Sequence, residues 1–104
     1  MQRRAFTMKL KPGFEAEYLK RHNEIWPELS ALLKTAGIRD YSIFLDHSSG
    51  TLFALQKLTE SNTNDNLPHH PSMKRWWAYM ADIMETNPDN SPVAQALEEV
   101  FHTD

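Results

Sequence analysis

The chain predicts an α+β fold, a four-stranded antiparallel sheet with its helices on one face. Three observations lead there. Arg3–Leu10, Arg39–Asp46 and Thr51–Leu58 alternate apolar and polar residues with the period of two expected of half-buried strands. Phe14–Ala36 and Ser72–Met84 instead place apolar residues at steps of three and four, the mark of a helix with one buried stripe. In chain order these read strand, helix, strand, strand, helix, and the tail Val93–Phe101 completes the set if its end is a strand.

In the first strand Arg4, Phe6, Met8 and Leu10 face one way and Ala5, Thr7 and Lys9 the other. Pro12-Gly13 breaks it. The following stretch reads as one long helix with Phe14, Tyr18, His22, Ile25, Leu29, Leu32 and Ala36 inward, bent at Pro27 and closed by Gly37 at the C′ position. The second strand turns Tyr41, Ile43 and Leu45 to one face and Phe44 to the other. His47-Ser48-Ser49-Gly50 is a hairpin turn by composition, and the return strand sets Leu52, Ala54 and Leu58 against Phe53 and Leu55. Glu60 to Ser72 is polar and holds two prolines, so it predicts a loop with one short turn. Ser72 is the expected N-cap of the second helix, whose apolar positions are Met73, Trp76, Trp77, Met80 and Met84. Asn87 to Pro92 predicts a rigid polar loop. The tail fits either periodicity, and a strand at its end gives the ferredoxin-like βαββαβ order. Large apolar groups lie on both faces of the hairpin. The helices cover one face, so the other is expected to meet the sheet of a second copy in a homodimer.

The 104 residues are expected to form a single domain, 1–104. A net charge of -3 without a basic run argues against a nucleic-acid partner. The absence of cysteine rules out disulfides, thiolate nucleophiles and Cys-ligated zinc. No segment has the apolar length to span a bilayer, and no signal region opens the chain, so no membrane role and a cytoplasmic location are expected. His69-His70 are adjacent in a proline-flanked loop and make a poor metal framework, so no metal is expected. The three glycines are isolated, and no elbow motif marks a nucleophilic serine.

What remains is a set of rings: Tyr18, His22, Trp26, Tyr41, Trp76 and Trp77. Tyr18 and His22 stand one turn apart on the same helix face, so phenol and imidazole point the same way. A histidine on an apolar stripe is more often a hydrogen-bonded core residue than a catalyst, and two tryptophans at helical spacing are more often core than a platform. The functional alternative is a pocket with aromatic walls and a few polar anchors, in which an imidazole moves protons near neutrality. The residues alone reach a small-ligand pocket suited to acid–base work.

Several ordered motifs then carry a resemblance over nearly the full length. They are Arg3-Arg4-Ala5-Phe6, Tyr18 with Arg21-His22-Asn23, Ile25-Trp26-Pro27-Glu28-Leu29, Asp40-Tyr41, Arg75-Trp76-Trp77, Tyr79-Met80, Asn87 to Val93, and Glu99-Val100-Phe101. With these the chain resembles the L-rhamnose mutarotases. The resemblance implies a cytoplasmic homodimer of the dimeric α/β barrel type, without metal or organic cofactor, that interconverts the α and β anomers of L-rhamnose. It implies His22 as proton donor and Tyr18, Tyr41, Trp76 and Trp77 as substrate-binding residues. The stretch Asn62 to His70 departs from the family's more helix-compatible pattern. Two other classes fit the scaffold: a cofactor-free monooxygenase acting on a polycyclic aromatic, and a sugar-binding dimer without catalysis.

Overall fold

A computed structural model describes all residues, 1–104. The first strand, β1 (Gln2–Lys9), leads through Pro12-Gly13 to helices α1 (Glu15–Asn23) and α2 (Pro27–Thr35). The hairpin β2 (Ile38–Asp46) and β3 (Thr51–Leu58) follows, then a 3₁₀ turn at Asn64–His69, helix α3 (Pro71–Met80) and strand β4 (Gln95–Leu97). The sheet is antiparallel throughout, in the order β2-β3-β1-β4.

Register explains which side chains form the core. Phe6 pairs with Ala54 and Met8 with Leu52, while across the hairpin Ile43 pairs with Ala54 and Leu45 with Leu52. These residues share one face, and with Leu29, Trp76, Met80, Ile83 and Met84 they build one apolar cluster. The alternation read from the sequence holds because a single slip would turn every one of these side chains to the opposite face. On that opposite face Phe44, Phe53, Leu55 and Leu97 stay 63%, 39%, 46% and 42% exposed.

One irregularity interrupts the hairpin. Arg39 pairs with Lys57 and Ser42 with Leu55, so Asp40 and Tyr41 together oppose the single residue Gln56. This is a β-bulge, and Asp40 takes a φ of 49° to make it. Tyr41 is thereby kept on the helix-covered face beside Gln56.

The expected long helix Phe14–Ala36 is two helices. α1 ends at Asn23, and Pro27 opens α2 at its first turn, where a missing N–H costs nothing. Trp26 is extended, with ψ of 131°, as the residue before a proline prefers. Its carbonyl starts the new helix, accepting from the N–H groups of Leu29 and Ser30 at 3.0 Å. Gly37 ends α2 as expected, with φ of 90°, and an added Cβ would come within 2.8 Å of Asn62 Cβ.

The polar stretch before α3 forms the short turn expected there. The cap of α3 lies two residues earlier than expected: His70 Nδ1 accepts from the Ser72 N–H at 3.1 Å, and Pro71 occupies the first turn. Ser72 is buried inside the helix, its hydroxyl accepting from Arg75. α3 also stops at Met80, short of Met84. Beyond it the Glu85 N–H donates to the Lys9 carbonyl, the Lys11 N–H donates to the Ile83 carbonyl, and Met84 bridges to Leu10. Ile83, in the turn after the helix, and Met84, in the bridge, are core residues. The loop after them is polar and tied down, with Asn87 and Ser91 bonded through both backbone and side chains. β4 lies nearer Val93 than expected, and Val100 and Phe101 beyond it are exposed.

No helix is long and apolar enough to cross a membrane.

Candidate active site

The site is built from side chains of α1, α3 and the step between α1 and α2, which meet through their rings. On α1 the Tyr18 and His22 rings stack with centroids 4.2 Å apart and planes at 28°. His22 Nδ1 lies 3.1 Å from the Tyr18 carbonyl, which can only accept, so Nδ1 carries the hydrogen. In the neutral ring Nε2 is then the nitrogen with the free lone pair. From α3, Trp76 meets His22 edge-on at 5.4 Å and 88°. Trp26, placed by its extended backbone between α1 and α2, meets Trp76 at 5.1 Å and 88°. Tyr79, one turn after Trp76, touches both indoles at 5.5 and 5.7 Å. Perpendicular and tilted arrangements are those that ring quadrupoles favour.

The sheet supplies the polar side. The Tyr41 hydroxyl faces Gln56, with the Arg4 charge nearby, while the residue as a whole stays 37% exposed. Gln56 is only 6% exposed, flanked on its face by Ala54 and Leu58, and Arg4 reaches its side-chain oxygen at 3.4 Å. The Arg4 guanidinium also covers the Phe6 ring at 4.7 Å. Burial pushes the Tyr18 hydroxyl far up, with the neighbouring Tyr41 adding to the shift. Tyr41 is pushed up by burial against the opposing pull of Gln56 and Arg4. Burial pushes His22 below its ordinary value, and the bond to the Tyr18 carbonyl only partly offsets this. Near neutrality the site therefore holds two protonated phenols and one neutral imidazole.

Of the five expected site residues, Tyr18, His22 and Trp76 are joined by ring contacts, and Tyr41 faces Tyr18 from the sheet. Trp77 is half-buried against the core and makes none of the ring contacts of this cluster. Adjacent residues on a helix point about 100° apart, so Trp77 faces a different neighbour from the ring contacts Trp76 makes. Residues that sequence reasoning did not assign to the site are Tyr79, Gln56, Arg4 and Arg21. Gln56 had a signal, being the one polar side chain in the buried series Leu52, Ala54, Gln56, Leu58. Tyr79 had a weaker one, three residues after Trp76 on the same helix.

A cavity of about 360 Å³ lies on the α2 side, lined by Ser30, Leu33, Lys34, Ile38, Arg39, Asp40 and Tyr41. It touches the ring cluster through Tyr41 alone. Tyr18 and His22 are not among its lining residues. No three His, Cys, Asp or Glu side chains gather as a metal-binding group.

Comparison with known proteins decides the family. A family model described as L-rhamnose mutarotase matches residues 3–103. The chain belongs to the L-rhamnose mutarotase family. The L-rhamnose mutarotase of Flavobacterium johnsoniae is 60% identical over 102 residues, covering 98% of this chain and 95% of that protein. That of Bacteroides thetaiotaomicron is 56% identical over 104 residues and covers both chains completely. The crystal structure of an L-rhamnose mutarotase from Formosa agariphila superposes with a TM-score of 0.94 at 48% identity, covering all of both chains. The ring cluster therefore belongs to an L-rhamnose mutarotase scaffold from end to end.

Proposed function

We propose that this chain, working as one domain over residues 1–104, interconverts the α and β anomers of L-rhamnose. The observation that carries the reading is the full-length likeness to L-rhamnose mutarotases in both sequence and fold. The site's chemistry is consistent with it, since anomer exchange requires only that protons move and a ring open.

A pyranose opens when its ring oxygen gains a proton and its anomeric hydroxyl loses one. His22, as the imidazolium, gives its Nε2 proton to the ring oxygen. The C1–O5 bond breaks with its electron pair staying on the oxygen, the O1–H pair becomes the second bond of the aldehyde, and that proton leaves to water. The aldehyde turns about C1–C2. On closure the hydroxyl oxygen attacks the other face, its proton returns to Nε2, and O1 takes a proton from water. No atom is gained or lost over the cycle, and each proton is exchanged with His22 or water. Tyr18 and Tyr41, held protonated, donate hydrogen bonds to sugar hydroxyls. Trp76 and Trp77 offer apolar surface to the sugar's C–H face and its methyl group.

Two further properties belong to this proposal. The working enzyme is a cytoplasmic homodimer, a dimeric α/β barrel formed by two ferredoxin-like protomers. What supports the dimer is the exposed row Phe44, Phe53, Leu55 and Leu97, which sheet-on-sheet packing would remove from water.

The deciding experiment is exchange NMR between the anomeric proton signals of L-rhamnose, with and without catalytic amounts of protein. Protein-dependent exchange that disappears in a folded His22→Ala variant and survives in His69→Ala is expected. Exchange at the buffer rate would overturn the proposal.

A further inference from the structure

Arg21 stands next to His22 in the chain but points to a different neighbour, the end of α3. Its side chain is only 11% exposed, and its donors are almost all engaged. Nε donates to Glu17 at 2.7 Å, and Nη1 donates to Asp82 at 2.9 Å and to the Tyr79 carbonyl at 2.8 Å. Nη2 completes a fork onto Asp82 at 3.2 Å. The face of the same guanidinium lies over the Tyr79 ring, 4.5 Å from its centroid. Only a planar cation with several fixed donors can do all of this at once. Asp82 is held below the usual carboxylate range by this pairing.

The consequence reaches the site through Tyr79. That ring touches Trp26 and Trp76, and Trp76 in turn meets His22 edge-on. Ring contacts tolerate sliding, whereas a forked hydrogen bond does not. The directional contacts that tie α1 to the α3 end are those of Arg21.

We propose that Arg21 is a positioning residue for the reaction: forked onto Asp82 and stacked on Tyr79, it pins α1 to α3 so that His22 keeps its place against Trp76. This rests on the reading of His22 as the proton-transfer group. Misplacement of a catalytic group by a fraction of an ångström to an ångström is enough to slow a reaction by one to two orders of magnitude.

The test uses the full chain with Arg21→Gln, Arg21→Lys and Asp82→Asn, and Arg3→Gln as a control at the remote Arg3–Glu99 pair. Arg21→Gln is expected to lower kcat about tenfold or more while KM changes less than about threefold. The midpoint of its pH–rate profile is expected to rise toward the ordinary histidine value, as water reaches a loosened imidazole. Arg21→Lys recovers part of the rate, because it keeps the charge and loses the fork and the stack. Asp82→Asn falls in the same direction by less, and Arg3→Gln stays at the parent rate. A folded Arg21→Gln with kcat and midpoint unchanged would overturn the proposal, and so would a lowered melting temperature with those two readouts unmoved. Should Arg21→Gln fail to fold, Asp82→Asn decides, because that side chain is 65% exposed and its loss is tolerable. His22→Ala separates the two readings. Full activity there defeats the His22 assignment on which this proposal rests, whereas lost activity there with normal Arg21→Gln defeats the Arg21 role alone.

Discussion

His22 is asked to serve as an acid while burial holds it below its ordinary value, and the sign of that shift has two measurable consequences. The first concerns rate. The donor is the imidazolium, so the enzymatic rate, corrected for buffer catalysis, is expected to rise as pH falls and to level off below a midpoint under about 6.5. A rate that rose with pH through that midpoint would assign His22 to the anomeric hydroxyl as a base. The second concerns stability. Between the folded midpoint and about 6.5 the unfolded chain binds a proton that the folded chain refuses, so this residue's effect lowers stability as pH falls through that window. His22→Phe should remove this dependence, read as a flatter melting temperature between pH 7 and pH 5.5. Activity and stability thus pull in opposite directions at the acid end. Gln56 offers a neighbouring test. Gln56→Leu removes the polar partner of the Tyr41 hydroxyl, at a cost of about 1 kcal/mol in urea unfolding and with a raised KM for the sugar.

Among the elements, the junction between α1 and α2 matters most to the site, because Trp26 owes its position to the chain's extended step there. Pro27→Ala restores an N–H and frees the preceding residue to become helical. The expected outcome is a loss of about 0.5–1 kcal/mol in urea unfolding and a larger relative loss of kcat, as Trp26 leaves Trp76. Gly37→Ala should behave differently. It strains φ and drives a Cβ into Thr59 and Asn62, costing about 2 kcal/mol or more, yet the folded fraction should turn over normally. These elements also mark what could be read in advance. The strands were legible because one buried face enforces their alternation, and Gly37 was legible because its chemistry has one use at a helix end. The break at Pro27 was not, since a proline inside a periodic stretch fits a bent helix as well as a new one. The bulge at Asp40 was equally hidden, because Tyr41, Ile43 and Leu45 keep their alternation on either reading. Tyr18 and His22 could be paired from spacing along one helix. The Arg21–Asp82–Tyr79 cluster could not, because it joins residues about sixty positions apart through packing that only the fold determines.

At the scale of the whole molecule, the chain presents a covered face of its sheet and an uncovered one. The proposed pairing of two uncovered faces predicts that Phe44→Asp with Leu55→Asp yields monomers by light scattering, since two buried like charges per copy would oppose association. Parent protein is expected at twice the chain mass under the same conditions. Parent protein at monomer mass would remove the dimer from the proposal. The substituted residues lie on the sheet face opposite the apolar core.

The perpendicular meeting of Trp26 and Trp76 beside His22 also gives the molecule an optical signal of its own. Two of the chain's three indoles stand in the ring cluster. An imidazolium quenches a neighbouring indole's emission more than a neutral imidazole does. Tryptophan fluorescence should therefore dim as His22 takes its proton, tracing the same midpoint as the rate, and should change again when a sugar displaces water from the rings. The protonation state of the proposed acid and the occupancy of its site can both be followed without a label.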